Sequence, residues 1–186
     1  MRKFGCFLAL VLLLCLTASA QDAPKAEAFL GYSYLRANPA TSGVPGFNLN
    51  GGSGSIAFNP WNSLGIVGDF GGYHVGNIGG SGVDANLYTY LFGPRFSYRA
   101  HERITPFAQA LFGGAHLGGS AVGSSGSTNG FAMALGGGVD VNASEHVAFR
   151  LGQFEYLLTR FDEGSGNASQ HNLRFSTGVV FRFGKR

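Results

Sequence analysis

The sequence predicts an all-β fold, an eight-stranded antiparallel up-and-down transmembrane β-barrel, from two patterns. Eight segments of roughly ten residues alternate between apolar or aromatic and small or polar side chains, as strands with two unlike faces do. Long connections rich in Gly and Ser follow the odd-numbered segments, whereas short turns follow the even-numbered ones. This segregation of lengths is typical of transmembrane barrels, and a soluble meander has no reason to adopt it.

The predicted strands are bounded by clusters of Gly, Pro, Asn and Ser, which favour turns. They cover residues 26–35, 49–58, 64–73, 86–98, 104–114, 131–141, 147–157 and 174–183. The connections predicted to be long loops cover residues 37–48, 74–85, 116–128 and 158–171. Pro94 lies inside the fourth predicted strand, where a residue without an N–H group is disfavoured.

The last predicted strand shows the alternation most clearly. Phe175, Phe181 and Phe183 share one face, and Arg174 and Arg182 share the other. In a membrane barrel the aromatic face meets lipid and the polar face turns inward. Aromatic residues also collect at both ends of the predicted strands, which indicates two girdles. The girdle near the short turns comprises Phe58, Trp61, Phe96, Tyr98, Phe149, Phe181 and Phe183, and the other comprises Tyr34, Tyr73, Tyr88, Phe131, Tyr156 and Phe175.

The N-terminal segment has the three parts of a secretory signal peptide. Arg2 and Lys3 form a basic start, an apolar run follows over residues 4–16, and the small residues Ala18 and Ala20 indicate cleavage after Ala20. The apolar run is shorter than the ~20 residues of a spanning helix. We therefore predict a signal peptide at residues 1–20 and a barrel domain at residues 21–186.

The composition of the mature chain excludes several classes of function. Both cysteines, Cys6 and Cys15, lie in the signal segment, so neither disulfides nor thiol chemistry are available after cleavage. Two of the net three positive charges also lie there, and the remaining +1 is too little for a nucleic-acid binder. The full chain contains 31 glycines among its 186 residues, more than twice the usual share of about 7%. Glycine suits the loops and the crowded inner wall of a small barrel.

Six polar side chains are predicted to face the barrel interior, which side chains just fill in an eight-stranded barrel. Charges buried there must pair. Pairing Leu157 with Asn172 would place Glu155 opposite Arg174. Because Arg150 and Glu155 differ in parity, both can face inward only if a bulge lies near Gly152. We expect a polar, plugged interior, with a narrow ion path as the alternative. The six residues are Asp69, Arg95, Gln109, Arg150, Glu155 and Arg174.

Neither a metal site nor a catalytic site is predicted. His74, His116 and His171 lie near the long connections and could in principle hold zinc or copper. Their spacing is irregular, however, and no carboxylate pattern accompanies them. None of the five histidines has a serine two positions later, and no other nucleophile, base and orienting group come together. We therefore expect no enzymatic activity and no cofactor.

The C-terminal strand carries a specific resemblance. Ser176, Gly178, Phe181 and Phe183 have the spacing polar-x-Gly-x-x-aromatic-x-aromatic, which resembles the C-terminal assembly signal of bacterial outer-membrane β-barrels. That pattern usually ends the chain, whereas residues 184–186 follow it here. The segments GYSYL, LGIVGDF, YLFGPR, TPFAQALFGG and LRFSTGVVFRFG together resemble the small OmpA-like outer-membrane β-barrel family over nearly the whole mature chain.

The resemblance implies a location, surroundings and a route of biogenesis. It implies a Gram-negative outer membrane, with lipid around the wall and both termini in the periplasm. It also implies that the barrel-assembly machinery and periplasmic chaperones are partners during biogenesis.

The functional hypothesis is a structural or surface-interaction role, through four flexible Gly/Ser-rich extracellular loops that contact an unidentified partner. The alternatives are a small-solute pore, a soluble lipocalin-like carrier and a lipid-modifying outer-membrane enzyme. A carrier needs an apolar lumen. The residues predicted to face inward do not supply one, because the charged residues share their faces with Gly, Ser and Ala.

Overall fold

The computed structural model describes residues 23–38, 46–76, 82, 84–121, 124–163 and 166–184. Each of its eight strands pairs antiparallel with its neighbours in the chain, and the first pairs with the last, which closes the sheet into a barrel. The predicted fold class is confirmed. The predicted signal peptide and cleavage site lie outside the described residues. The strands are β1 (Ala26–Ala37), β2 (Phe47–Phe58), β3 (Leu64–Val75), β4 (Asp84–Ser97), β5 (Ile104–Ala121), β6 (Ser124–Asn142), β7 (Val147–Glu163) and β8 (Gly166–Phe183).

The two faces of each strand differ as the alternation predicts. In β3, Leu64, Ile66 and Phe70 are exposed on the outer wall, while Val67 and Asp69 are buried inside. The outer wall is therefore largely apolar, which suits contact with lipid tails. None of the residues that the structure describes belongs to a helix long and apolar enough to cross a membrane.

Both aromatic girdles are present, with one correction. Tyr73, assigned to the girdle near the long connections, is 2% exposed and points into the barrel. The reason is parity, because Tyr73 shares its face of β3 with Val67 and Asp69. The other members of the two predicted sets are exposed or partly exposed on the outer wall.

Two of the predicted loops are largely strand. The β5–β6 ladder continues from His116↔Asn129 to Ala121↔Ser124, and the β7–β8 ladder continues to Glu163↔Gly166. Predicting flexible loops at residues 116–128 and 158–171 was therefore wrong. Weak strand propensity does not prevent pairing when two backbones lie side by side, since each N–H and C=O then finds a partner. The other two predicted loops lie partly outside the described residues.

Pro94 interrupts one ladder only. On the β3 side it lies opposite Ile66. On the β5 side the pairing stops after Phe92↔Phe112 and resumes in the same register at Arg95↔Gln109. The sheet thus accommodates the missing N–H group of proline through a two-residue gap and without a register shift.

A bulge in β7 resolves the parity conflict in that strand. Arg150 pairs with Gly178 and Gln153 pairs with Ser176, so two residues of β7 face a single residue of β8. The extra residue reverses the parity of the strand, and Arg150, Gln153 and Glu155 all become buried inside. This is the bulge that the sequence requires near Gly152.

The seam between β1 and β8 brings two glycines face to face. Gly31 lies opposite Gly178. A Cβ atom on Gly31 would lie 2.1 Å from the Thr177 carbonyl oxygen, and one on Gly178 would lie 2.3 Å from the Leu30 carbonyl oxygen. The two strands can approach this closely only because both positions lack a side chain.

Candidate functional site in the barrel interior

Arg174 lies at the centre of a buried network of charges. Its Nε donates to Glu155 Oε2 at 2.7 Å, and its Nη1 donates to Asp69 Oδ1 at 2.7 Å. The same Nη1 lies 3.4 Å from the Tyr73 hydroxyl oxygen. The β7–β8 register places Glu155 directly opposite Arg174, as the proposed pairing of Leu157 with Asn172 requires. One guanidinium thus neutralises carboxylates from two different strands, β3 and β7.

Two glutamines extend the network towards the short turns. Gln109 Nε2 donates to Glu155 Oε1 at 2.8 Å, and Gln153 Nε2 donates to Glu155 Oε2 at 2.7 Å. The side-chain oxygens of both glutamines accept hydrogen bonds: Gln109 Oε1 accepts from Arg95 Nε at 2.9 Å, and Gln153 Oε1 accepts from Arg150 Nη1 at 2.7 Å. The structure therefore connects all six predicted interior residues through hydrogen bonds, with Gln153 as an essential link.

Arg150 has partners that the sequence reasoning missed. It bonds Asp140 through a two-pronged contact, with Nε–Oδ1 at 2.8 Å and Nη2–Oδ2 at 3.0 Å. Its Cζ also lies 4.3 Å from the centroid of the Phe29 ring and 4.4 Å from that of Phe107. The available signal was parity: Phe29 shares its face of β1 with Ser33, which the alternation already turns inward. Stacking on the Phe29 and Phe107 rings and the bidentate ion pair with Asp140 together hold this guanidinium in one orientation.

A second charge cluster lies nearest the short turns, around Glu27. Arg99 Nη2 lies 3.3 Å from Glu27, Arg182 Nε lies 3.3 Å from it, and Arg95 Nη1 lies 3.8 Å from it. All four side chains are buried. Three guanidinium groups thus share one carboxylate. Sequence reasoning did not include Glu27, although its parity in β1 matches that of Ser33 and it is the only acidic residue of the strand.

The interior nearest the long connections is apolar, which corrects the expectation of a wholly polar core. On β3, β4 and β7 a large buried apolar residue lies closer to the long connections than the charged residue does, although Val67 on β3 is buried nearer the short turns. Tyr73 follows Asp69, Leu157 follows Glu155, and Leu91 precedes Arg95. Aliphatic residues with inward parity supply an apolar lining that was not expected from the charged and small residues of the same faces. This buried layer includes Leu35, Leu49, Tyr73, Leu87, Leu91, Leu111, Leu157 and Phe161.

The three histidines near the long connections do not converge. His74 Nδ1 lies 2.9 Å from Asn86 Oδ1, His116 Nδ1 lies 2.8 Å from Asn129 Oδ1, and His171 bonds the Tyr156 hydroxyl. Each imidazole contacts a residue on the neighbouring strand, and the three lie on β3, β5 and β8. Across the described residues, no three His, Cys, Asp or Glu side chains are grouped to hold a metal ion.

The residues of the proposed assembly signal lie on both faces of β8. Ser176 is buried and its Oγ lies 2.6 Å from Ser33 Oγ across the β1–β8 seam, where Gly178 also lies. Phe181 and Phe183 are exposed on the outer wall near the short turns. Two residues of the pattern, Ser176 and Gly178, thus pack at the β1–β8 seam, and the two aromatic residues are accessible on the outer wall.

A closed antiparallel barrel with an apolar outer wall, aromatic girdles and a charge-paired interior defines the class of transmembrane β-barrels. Within that class, the chain belongs to the outer membrane protein beta-barrel domain family, whose model matches residues 6–183. The resemblance seen in the sequence is confirmed. The protein is therefore an outer-membrane β-barrel.

Solved outer-membrane barrels have the same fold at low sequence identity. Neisserial surface protein A matches with a TM-score of 0.67 and 14% identity, over 88% of this chain and 100% of that one. Ail, the attachment invasion locus protein of Yersinia pestis, matches with a TM-score of 0.58 and 18% identity, over 86% and 99%. OprG from Pseudomonas aeruginosa matches with a TM-score of 0.54 and 12% identity, over 88% and 98%. No curated protein sequence matches the chain significantly.

Proposed function

We propose that the protein is a non-enzymatic surface protein that binds an extracellular partner through the two long hairpins β5–β6 and β7–β8. The observation that carries this proposal is the unequal length of the strands. β5 to β8 contain 17–19 residues, whereas β1 to β3 contain 12 each. At ~3.3 Å per residue, the additional residues extend the hairpins by roughly 16–23 Å. A strand crosses the membrane in about 9–11 residues, so neither the membrane nor the charge network requires this extra length, although Phe161 of the buried apolar layer lies at its base.

The composition of the hairpins indicates how a partner is recognised. Residues 116–129, at the end of β5–β6, contain no Asp, Glu, Lys or Arg, and residues 158–171 contain Arg160, Asp162 and Glu163. Ail has been crystallised with the heparin analogue sucrose octasulfate. In this chain the scarcity of cations favours a partner recognised by hydrogen bonds and backbone shape over a sulfated polyanion.

The proposal also includes the orientation of the barrel in the membrane and its route of assembly. The short turns and both ends of the mature barrel, which begins after residue 20, face the periplasm, and the long hairpins face outward. The barrel-assembly machinery, supplied by periplasmic chaperones, binds the aromatic edge formed by Phe181 and Phe183. The imidazoles of His74, His116 and His171 bond Asn86, Asn129 and Tyr156 instead of a serine nucleophile, which supports a role without catalysis.

Shortening each hairpin tests the surface role. Leu117 lies opposite Thr128, so replacing residues 118–127 with Asn-Gly leaves a two-residue turn in register. Phe161 lies opposite Ala168, so residues 162–167 can be replaced in the same way, which keeps the buried Phe161. Proteins that co-purify with the barrel from chemically cross-linked cells should be lost from these variants. They should be retained by His101→Ala in a short turn. An unchanged set of partners in both shortened variants would contradict the proposal.

A further inference from the structure

A cavity of about 780 Å³ lies at the short-turn end of the barrel, opposite the long hairpins. Its walls come from the β4–β5 turn, from the β6–β7 turn and from both ends of the barrel sheet. Arg99, Arg103 and Arg182 line it together with Ser144 and His146. The carboxylates that line it, Glu102 and Glu145, lie in exposed turns at the entrance. The buried part of the lining is therefore basic, and the acidic groups are at the solvated rim.

The charge balance beneath this cavity is unequal. Glu27 is shared by the guanidinium groups of Arg95, Arg99 and Arg182, which lie 3.8, 3.3 and 3.3 Å from it. Asp140, the next acidic residue inside, is engaged by Arg150. Among the buried side chains that the structure describes, five arginines face four carboxylates, which leaves one positive charge in excess; the arginines are Arg95, Arg99, Arg150, Arg174 and Arg182, and the carboxylates are Glu27, Asp69, Asp140 and Glu155. Buried charges are ordinarily compensated, so this excess favours an additional anion.

Arg182 shows where that anion would bind. Its side chain is 7% exposed and lines the cavity. Its Nη2 has no hydrogen-bond partner among the described residues, and its Nε approaches Glu27 at 3.3 Å without forming a hydrogen bond. Buried donors almost always have an acceptor, and a guanidinium fork fits the oxygens of a tetrahedral oxyanion. Arg99 is held beside it by the Asn62 carbonyl oxygen and by Glu27.

We propose that this cavity is a phosphate-binding site, in which Arg182 binds the phosphoryl oxygens, Arg99 adds positive charge beside it and Arg103 attracts the anion at the entrance. The ligand is a phosphate-bearing anion, supplied either as a soluble phosphate compound or as the headgroup of a phospholipid. A single phosphate group fills only part of about 780 Å³, so a larger organic phosphate also fits. The site lies at the end of the barrel opposite the hairpins, and its test is independent of the surface role.

Phosphate titration tests the site on the folded full-length barrel in a non-ionic, phosphate-free detergent. We expect inorganic phosphate to bind at constant ionic strength, as measured by calorimetry and ³¹P line broadening, with chloride as the competing anion. Arg182→Gln should weaken phosphate binding at least tenfold. Arg36→Gln makes the same charge change near the long connections and should leave binding unaltered. Equal effects of the two variants, or wild-type binding no stronger than that of chloride, would overturn the proposal.

Two further arms complete the test. If the Arg182→Gln variant does not fold, the Arg103→Gln variant is used instead, because Arg103 is exposed in a turn. The phosphate affinity of this variant should fall at least threefold. An unchanged affinity would overturn the proposal. A short-chain phosphatidylglycerol is titrated beside inorganic phosphate and glycerol phosphate. Binding of all three identifies the phosphoryl group as the recognised element and a soluble source as sufficient. Binding of the lipid alone identifies the headgroup as the source.

Discussion

At the scale of single residues, the interior is organised by guanidinium groups that are shared between carboxylates. Arg174 bonds both Asp69 and Glu155, so removing either acid leaves the other in place. Removing Arg174 instead leaves two buried carboxylates without their cation. The loss of a buried partner is costly because the remaining charge is neither hydrated nor paired.

A double-mutant cycle on Glu155 and Arg174 measures this sharing. Arg174→Met should destabilise the barrel by ~3–5 kcal/mol, and Glu155→Gln should cost less, because Arg174 keeps Asp69. The double variant should be more stable than the sum of the two losses predicts, by at least ~1 kcal/mol. Urea unfolding from lipid vesicles gives the free energies, with Arg36→Gln as a partly exposed control outside the network. Strictly additive losses would show that the two side chains are not coupled.

The glycine pair at the β1–β8 seam gives a second prediction at this scale. Gly31→Ala and Gly178→Ala should each reduce the folded fraction, since the new Cβ would lie within 2.1 and 2.3 Å of a carbonyl oxygen. Gly52→Ala is the matched control, because its nearest neighbour would be the Gly31 carbonyl oxygen at 3.5 Å. The shift between boiled and unboiled protein on a gel measures the folded fraction. A loss from Gly178→Ala alone would assign that glycine to recognition and not to packing.

At the scale of elements, β8 combines packing and assembly on different residues. Phe175 packs against Phe154 with ring centroids 4.9 Å apart, while Phe183 is exposed near the short turns. If β8 carries the assembly signal, the two aromatic residues should have different roles. Phe175 should stabilise the folded barrel, and Phe183 should determine the amount of barrel inserted into the membrane.

Alanine substitutions separate these two roles. Phe183→Ala should lower the amount of folded protein in the outer membrane more than Phe175→Ala does. Phe175→Ala should lower the free energy of unfolding by about 1 kcal/mol through the loss of the ring pair. Membrane fractionation measures the first quantity and denaturant unfolding the second. Equal losses of inserted protein from both substitutions would indicate that the aromatic spacing is ordinary strand composition.

Parity alone decides which face a strand residue occupies, and the six polar residues singled out in the sequence are all buried. A closed barrel then brings residues of like parity together, as it does for Asp69, Arg95 and Gln109. Hairpin length was not predictable in the same way. Outside the membrane no lipid imposes alternation on the strands, and Gly and Ser favour loops in short-range patterns. The apolar layer was missed because the inward faces were judged by their charged and small residues, and aliphatic residues of the same parity, such as Leu35 and Leu157, were left out.

At the scale of the whole molecule, two stacked layers fill the barrel. The apolar cluster lies near the long connections, and the hydrogen-bonded charges lie below it. An ion that crossed this interior would have to leave water, pass between aliphatic side chains and break buried ion pairs. Such a path is energetically unfavourable at every level.

Planar-bilayer recording checks this consequence. The reconstituted barrel should show no large, steady conductance of porin size. Replacing Arg174 and Glu155 together should leave the bilayer equally silent, because the apolar layer remains. A stable, reproducible open state in the unmodified protein would contradict the filled interior.

The β1–β8 seam has a consequence for how the barrel forms. Every other strand pair joins neighbours in the chain, whereas this one brings together residues such as Ser33 and Ser176, separated by 143 positions. Joining such distant segments is entropically costly, and contacts of high sequence separation form late and slowly. The partners of Arg174 and Arg182 on β3 and β1 become available only when the seam closes. We therefore expect the ion pairs of Arg174 with Asp69 and of Arg182 with Glu27 to form together with closure, which makes the final folding step cooperative and leaves open sheets with part of their charge uncompensated.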